Sequence, residues 1–215
     1  MTNLTNLRHL DLEGLINLLQ LRRDVRHFRA DPLPEGTVKR LVEAACLAPS
    51  VGFCQPWRFV SVQSLDKRNE VINHYVSEKE EAGGIYQDKS IASAYKNLKL
   101  AGLQEAPEHM AIFAVQDPER GHGLGRQTMP ESVVYSVVAA IQNLWLAARC
   151  EGIGIGWVSI LDPPRVVEIL EVPDSWQLIA YLCLGYPVEG HETTPLLERL
   201  DWERRATIDE LWSFI

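Results

Sequence analysis

The sequence has little of what marks a metal-binding, disulfide-bonded or membrane protein. Its four cysteines form no C-x-x-C pair, and its six histidines never fall at i, i+4 with one another. These spacings predict no metal site and favour reduced, packed thiols in a cytoplasmic protein. Residues 1–10 carry no apolar signal core, and apolar runs are short, so we expect a flexible N-terminus, no secretory leader and no membrane contact.

The charge balance argues against one further class, and the glycine spacing gives no positive signal for a nucleotide-binding loop. The formal net charge is -8, and no long basic stripe is present, which argues against nucleic-acid binding. Neither the glycine-rich run at 121–126 nor that at 152–156 has the dinucleotide or Walker spacing. A nicotinamide or nucleotide site therefore has no sequence signal.

The chain shows no internal repeat, low-complexity segment or linker, so we expect a single domain over residues 1–215. Segment 116–130 is long and rich in glycine and is therefore a candidate lid. The polar tail, 188–215, has isolated apolar anchors and is predicted to pack on a partner subunit. The predicted helices are 12–21, 35–48, 65–79, 90–105, 131–150 and 163–170, and the predicted strands are 58–62, 109–115, 152–161 and 176–184.

Residues 21–29, here called the arginine segment, concentrate positive charge in an acidic protein. The segment holds four arginines and a single carboxylate, Asp24. Arginine forks suit phosphate oxygens, although a basic run is also typical of a solvated surface paired with acidic neighbours. Positive neighbours would lower the pKa of Asp24 and keep it ionised.

Residues 48–57, here called the serine loop, have almost no charge. Pro49 and Pro56 stiffen the loop, Gly52 permits positive φ, and Ser50 offers a hydroxyl. Such a loop is either a structural turn before a strand or a binding loop set by the scaffold.

Segment 131–150 is apolar over most of its girth, which indicates a central core helix or a dimer interface. The glycines at 152, 154 and 156 lead into a strand and would let another stretch of backbone approach closely.

Four blocks carry a family resemblance that extends from about Leu15 to Trp202. Together they resemble the flavin-binding nitroreductase superfamily and, within it, the 5,6-dimethylbenzimidazole synthase family. The blocks are Arg22–Arg26, Ala48–Trp57, Gly123–Thr128 and Gly156–Leu161.

The resemblance implies an α+β, nitroreductase-like FMN-binding fold: a mixed central sheet flanked by helices, in an intertwined homodimer with an extended C-terminal tail. It implies that reduced FMN is the substrate, supplied by a separate flavin reductase. With O2 as co-substrate, the flavin would be fragmented to dimethylbenzimidazole, the lower ligand of cobalamin, and erythrose 4-phosphate.

The resemblance also assigns roles to residues. Asp24 and Ser159 would be catalytic, the first as a base or as an anchor for ribityl hydroxyls. The implied FMN-binding residues are Arg22, Arg23, Asp24, Val25, Arg26, Ser50, Lys99, Trp157, Ser159 and Arg199.

Two rival functions use the same flavin site. One is an NAD(P)H-dependent nitroreductase or flavin reductase that recycles FMN, and the other is a non-catalytic FMN carrier. The first would consume nicotinamide without losing flavin, and the second would bind flavin without chemistry.

Overall fold

The computed structural model describes residues 11–98, 102–188 and 193–215. The predicted flexible N-terminus and Lys99 lie outside these ranges. The helices are α1 (Leu12–Leu21), α2 (Thr37–Ala45), α3 (Leu65–Gly83), α4 (Lys89–Asn97), α5 (Ser132–Cys150), α6 (Pro163–Leu170), α7 (Leu196–Arg199) and α8 (Ile208–Leu211), and the strands are β1 (Trp57–Ser61), β2 (Glu108–Val115), β3 (Gly154–Val158) and β4 (Trp176–Gly185).

The four strands form one sheet in the order β1-β2-β4-β3. Every neighbouring pair is antiparallel. The resemblance implied a mixed sheet, but the four strands pair only in antiparallel fashion. The parallel pairing found in the described residues is an isolated bridge between Asp24 and Ile155. The arginine segment thus lies beside the free edge of β3.

Helices cover both faces of the sheet because alternate strand residues point to opposite sides. On β2, Met110 and Ile112 pack with α2 and α5, whereas Ala111 and Phe113 pack with α3 and α6. The expected flanking of a central sheet by helices is confirmed, and the result is a three-layer domain.

Helix α5 is the central helix of one layer. Val137, Ala140 and Leu144 are fully buried between α2 and the sheet. Its length and hydropathy alone would also allow it to cross a membrane, contrary to the expectation that no apolar run approaches that length. Its packing is that of a core helix, while its outer face exposes Tyr135 and Val138.

Two predicted helices end earlier than the apolar pattern suggested. Helix α2 begins after Gly36, whose φ of 78° breaks the helix, and ends at Ala45 rather than at Ala48. Helix α4 ends at Asn97 because Leu98 is extended. After α4 the apolar spacing continues at Leu98, which is buried without helical backbone.

The first part of the tail contacts its own chain. The Thr193 carbonyl accepts hydrogen bonds from Arg23, and the Trp202 ring meets Tyr86 edge-on with centroids 5.9 Å apart. Residues 203–215, which include α8, are exposed. Packing on a partner subunit therefore stays a prediction, and it concerns this exposed part.

Candidate functional site

The arginine segment crosses β3 at close range. The Val25 N–H donates to the Ile155 carbonyl over 2.9 Å. A Cβ on Gly156 would lie 2.3 Å from the Val25 carbonyl oxygen, and a Cβ on Gly154 would lie 2.6 Å from a Val25 methyl group. The glycines are there because any side chain would push the two backbones apart, as their spacing predicted.

Asp24 is fixed by two contacts at this crossing, and a third contact joins its two partners. Its Oδ1 accepts a hydrogen bond from the Trp157 backbone N–H over 2.8 Å, and its Oδ2 pairs with the Arg26 guanidinium. Arg26 in turn donates from Nη1 to the Trp157 carbonyl over 3.1 Å. The carboxylate, guanidinium and peptide form a closed ring that leaves Asp24 little rotational freedom.

Burial raises the pKa of Asp24 above its ordinary value. Arg26, the Trp157 N–H and Arg22 all act in the opposite direction but do not outweigh the loss of hydration. The sequence-based expectation of a lowered pKa is therefore wrong, because it counted the neighbouring charges and not the burial. The raised pKa makes this carboxylate a stronger base than an exposed aspartate.

A pocket of about 160 Å³ opens beside this ring. It is cationic, and the tail closes one side of it with Thr194, Leu196 and Arg199. The structure thus brings six of the proposed FMN-binding residues to one place: Arg22, Arg23, Asp24, Val25, Arg26 and Arg199. Their joint position was expected from the resemblance.

Sequence reasoning missed two pocket residues on α5, Trp145 and Arg149. The Arg22 guanidinium lies 4.7 Å from the centroid of the Trp145 ring. The centroids of the Trp145 and Trp157 rings are 6.2 Å apart. The Trp145 Nε1–H is buried without a hydrogen-bond partner. Trp145 lies in the apolar segment 131–150, and no pattern in the sequence separates it from its apolar neighbours.

Two of the proposed residues lie on or just after β3. Trp157 contributes through its backbone, which holds Asp24 and Arg26. Ser159 follows the last residue of β3, is exposed, and is not among the residues that line the pocket. It lies two residues after Trp157, beyond the end of β3.

Ser50 is at the other end of α5 from the pocket. Its hydroxyl accepts a hydrogen bond from Gln55 N over 3.1 Å, and the next residue, Val51, donates from its backbone N–H to Ser136 Oγ over 3.0 Å. Ser136 precedes Trp145 by nine residues, which is roughly 14 Å of helix. Within one chain, the serine loop and the arginine pocket are therefore separate in space.

The candidate lid, residues 116–130, packs against the serine loop. A Cβ on Gly121 would lie 2.5 Å from the Gly52 carbonyl oxygen, and a Cβ on Gly125 would lie 2.8 Å from a Val51 methyl group. An ion pair between Asp117 and Arg126 ties the segment to itself. In this structure the segment supports the serine loop.

The residues present fit one end of an FMN molecule. Arg22 and Arg199 supply positive charge for a phosphate, and the orphaned Trp145 N–H is a donor suited to a phosphate or hydroxyl oxygen. A volume of about 160 Å³ is below the ~300 Å³ at which pockets for whole organic ligands begin. The pocket suits the phosphate and ribityl end.

Comparison with known proteins agrees with these features. The family model described as the nitroreductase family matches residues 19–186. The protein from Rhodospirillum rubrum called 5,6-dimethylbenzimidazole synthase is 51% identical over 193 residues, which cover 90% of each chain. A protein of the same name from Rhodobacter capsulatus is 44% identical over 191 residues, covering 89% of this chain and 91% of that protein.

Solved structures show the same fold at low identity. Iodotyrosine deiodinase bound to FMN and 3-iodo-L-tyrosine superposes with a TM-score of 0.73 at 22% identity, covering 93% of this chain and all of the other. A nitroreductase-like protein from Bacillus cereus gives a TM-score of 0.65 at 20% identity, covering 94% and 95%. The resemblance carried by the four sequence blocks is confirmed: the chain belongs to the nitroreductase family, alongside relatives that are 5,6-dimethylbenzimidazole synthases.

Proposed function

We propose that this protein is a 5,6-dimethylbenzimidazole synthase that uses reduced FMN as substrate and O2 as co-substrate. The reaction would fragment the flavin to dimethylbenzimidazole and erythrose 4-phosphate. The observation that carries the proposal is Asp24, a carboxylate of raised pKa held beside an arginine-lined pocket. The identity of 51% to a synthase over 90% of each chain supports the same conclusion.

Reduced flavin supplies the reactivity toward O2, and the protein supplies position and proton transfer. Arg22 and Arg199 would bind the phosphate, and Val25 also lines the pocket. Asp24 would accept a proton from the ribityl chain or ring. Arg26 holds the carboxylate and stabilises its ionised form, so that it can act repeatedly as a base.

Ser159 would act as a hydrogen-bond donor or acceptor to the flavin ring. Its position just after β3, two residues beyond Trp157 and outside the pocket lining, supports a location beyond the phosphate end. Lys99 is proposed for the pyrimidine edge from the resemblance alone.

A homodimer would complete the site. No residue of α1 is buried, although this helix is strongly apolar and packs beside α5. Its exposed residues Leu12, Leu15, Ile16 and Leu19 add to Tyr135 and Val138 on α5. An apolar surface of this kind is typical of a subunit interface.

The separation of the serine loop from the arginine pocket also supports a dimer. The serine loop and the arginine pocket lie at opposite ends of α5, and the pocket is too small for a whole flavin. A second copy would bring its own serine loop to the flavin ring. Phe53 on that loop is 69% exposed and would then be covered.

The test is a single turnover with chemically reduced FMN. Protein and FMN are mixed without oxygen, the flavin is reduced, air is admitted, and dimethylbenzimidazole is measured by chromatography and mass spectrometry. We expect product without any nicotinamide. Quantitative recovery of intact FMN would contradict the proposal.

The rival functions give other outcomes in the same assay. A nitroreductase or flavin reductase would oxidise NAD(P)H and return FMN, and a carrier would bind FMN and leave it unchanged. The synthase needs a separate flavin reductase as its partner, which we place with it in the cytoplasm. Adding such a reductase and NADH should therefore sustain many turnovers.

A further inference from the structure

Arg23 lines the pocket, but its guanidinium donates its hydrogen bonds to backbone carbonyls. Its Nε donates to the Thr193 carbonyl over 2.7 Å, and its Nη2 donates to the same oxygen. Its Nη1 donates to the carbonyls of Arg22 over 2.6 Å and Leu19 over 3.5 Å. This pattern differs from that of Arg22, which lies over the Trp145 ring.

The donor count limits what else Arg23 can do. A guanidinium has five N–H donors in a fixed fork, and four of those of Arg23 are used in these contacts. A phosphate held in the bidentate manner needs two donors on one edge. Arg23 could supply them only by releasing a backbone carbonyl.

The carbonyls that Arg23 joins belong to two distant parts of the chain. Leu19 and Arg22 lie at the C-terminal end of α1, where unpaired carbonyls and the helix dipole favour a cation. Thr193 is 170 residues away, in the tail. Thr194, Leu196 and Arg199, which follow it, form one side of the pocket.

We propose that Arg23 is a positioning residue that clasps the tail to α1 and thereby places Arg199 at the pocket. The clasp does not depend on any ligand. Its consequence for FMN rests on the proposed function, because only then does Arg199 meet a phosphate. The role assigned to Arg23 from the resemblance, direct contact with FMN, is the competing explanation.

Hydrogen exchange of the tail amides tests the clasp in the full-length protein without flavin. Arg23→Ala should speed exchange in residues 193–202 at least tenfold, since charged hydrogen bonds that hold the segment are lost. Arg22→Ala is the matched control, with the same loss of charge one residue away, and should leave that segment unchanged. Unchanged exchange in Arg23→Ala would overturn the proposal.

Arg23→Lys guards against a variant that fails to fold. Lysine keeps the charge but lacks the fork that grips one carbonyl from two nitrogens. We expect faster tail exchange in this variant too, at a smaller fold-change than in Arg23→Ala. Tail exchange at the wild-type rate in Arg23→Lys would show that charge alone accounts for the contact.

A double-mutant cycle on FMN affinity separates positioning from direct contact. If Arg23 acts through Arg199, the Arg23→Ala, Arg199→Ala double variant should bind FMN no more weakly than Arg199→Ala alone. Additive losses would instead show that Arg23 touches the ligand itself, and would overturn the positioning role. If the wild-type protein binds no FMN, the proposed function fails, and the exchange experiment still decides the clasp.

Discussion

The arginine segment and the serine loop lie at opposite ends of α5 and are built in different ways. The arginine segment is extended, charged and held by a ring of contacts around Asp24 and Trp157. The serine loop has almost no charge, and its backbone is left-handed at Gly52, Phe53 and Gln55. The arginine segment positions a carboxylate and cations, whereas the serine loop positions backbone groups and a hydroxyl. Under the proposed function, each region would supply one part of the flavin site.

The largest effect should come from removing the charge at the centre of the arginine segment. Asp24→Asn keeps an oxygen for the Trp157 N–H but removes the base. Product formation should fall about 10²–10⁴-fold, while FMN binding is retained. Single-turnover yield and flavin fluorescence titration measure the two quantities.

Asp31→Asn is the matched control for that variant. Asp31 pairs with Arg29 on the surface, with both side chains about half exposed. Its removal should change neither quantity. Equal losses in the two variants would mean that the Asp24 effect reports general charge and not a base.

The second prediction breaks the crossing of the arginine segment over β3. The Cβ of Gly156→Ala would lie 2.3 Å from a backbone oxygen that cannot move alone. The free energy of unfolding should fall by about 1–3 kcal/mol, as measured by urea denaturation. Gly152→Ala has open space around its Cβ and a φ of 72°, so it should cost only about 1 kcal/mol. Equal costs would show that the close approach to Val25 is not what requires glycine.

The third prediction concerns a substitution that weakens the support of the serine loop. Gly121→Ala would place a Cβ 2.5 Å from the Gly52 carbonyl oxygen, so the supporting segment must withdraw. We expect about tenfold weaker FMN binding, equivalent to ~1.4 kcal/mol, with the pH profile of turnover unchanged. Gly36→Ala shares the same positive φ but meets its nearest atom at 3.7 Å, and should leave FMN affinity at the wild-type value. A pH profile that shifts in Gly121→Ala would show that the two regions are not separable.

The smallest effect concerns stability against pH. Because burial raises the pKa of Asp24, the folded protein holds this proton more tightly than the unfolded chain does. The group therefore stabilises the fold at low pH, and that contribution is lost as pH rises from the ordinary aspartate value through the raised one. In this range wild-type protein should lose stability relative to Asp24→Asn as pH increases, measured by urea denaturation. A relative gain would mean that the pKa of Asp24 is lowered.

Much of the fold followed from the sequence because it depends on local patterns. The largely apolar runs at 109–115 and 176–184 marked the two central strands, and the glycines at 154 and 156 marked the close crossing. Helix ends were less predictable, since apolar spacing does not distinguish a last helical turn from a packed loop. Leu98 is such a residue: it is buried but extended.

The site was predictable where the family blocks reach and not beyond them. Asp24 and Trp157 are 133 residues apart, and no spacing rule shows that the carboxylate accepts from that backbone. The raised pKa follows from burial, which exists only in the folded chain. Trp145 was indistinguishable from its apolar neighbours on α5, and the clasp by Arg23 depends on a tail contact 170 residues away.

The most direct test of the two-region account is a mixed dimer. Asp24→Asn disables the arginine region of one chain, and Ser50→Leu disables the serine loop of the other. Each variant homodimer should be inactive. The variants are co-expressed with different affinity tags, and the heterodimer is purified on both.

If each site takes its arginine region from one chain and its serine loop from the partner, the heterodimer contains one site with both changes and one intact site. We therefore predict about half of wild-type dimethylbenzimidazole formation per dimer. If both regions of a site came from the same chain, every site would carry one change. A heterodimer as inactive as the two homodimers would contradict the account.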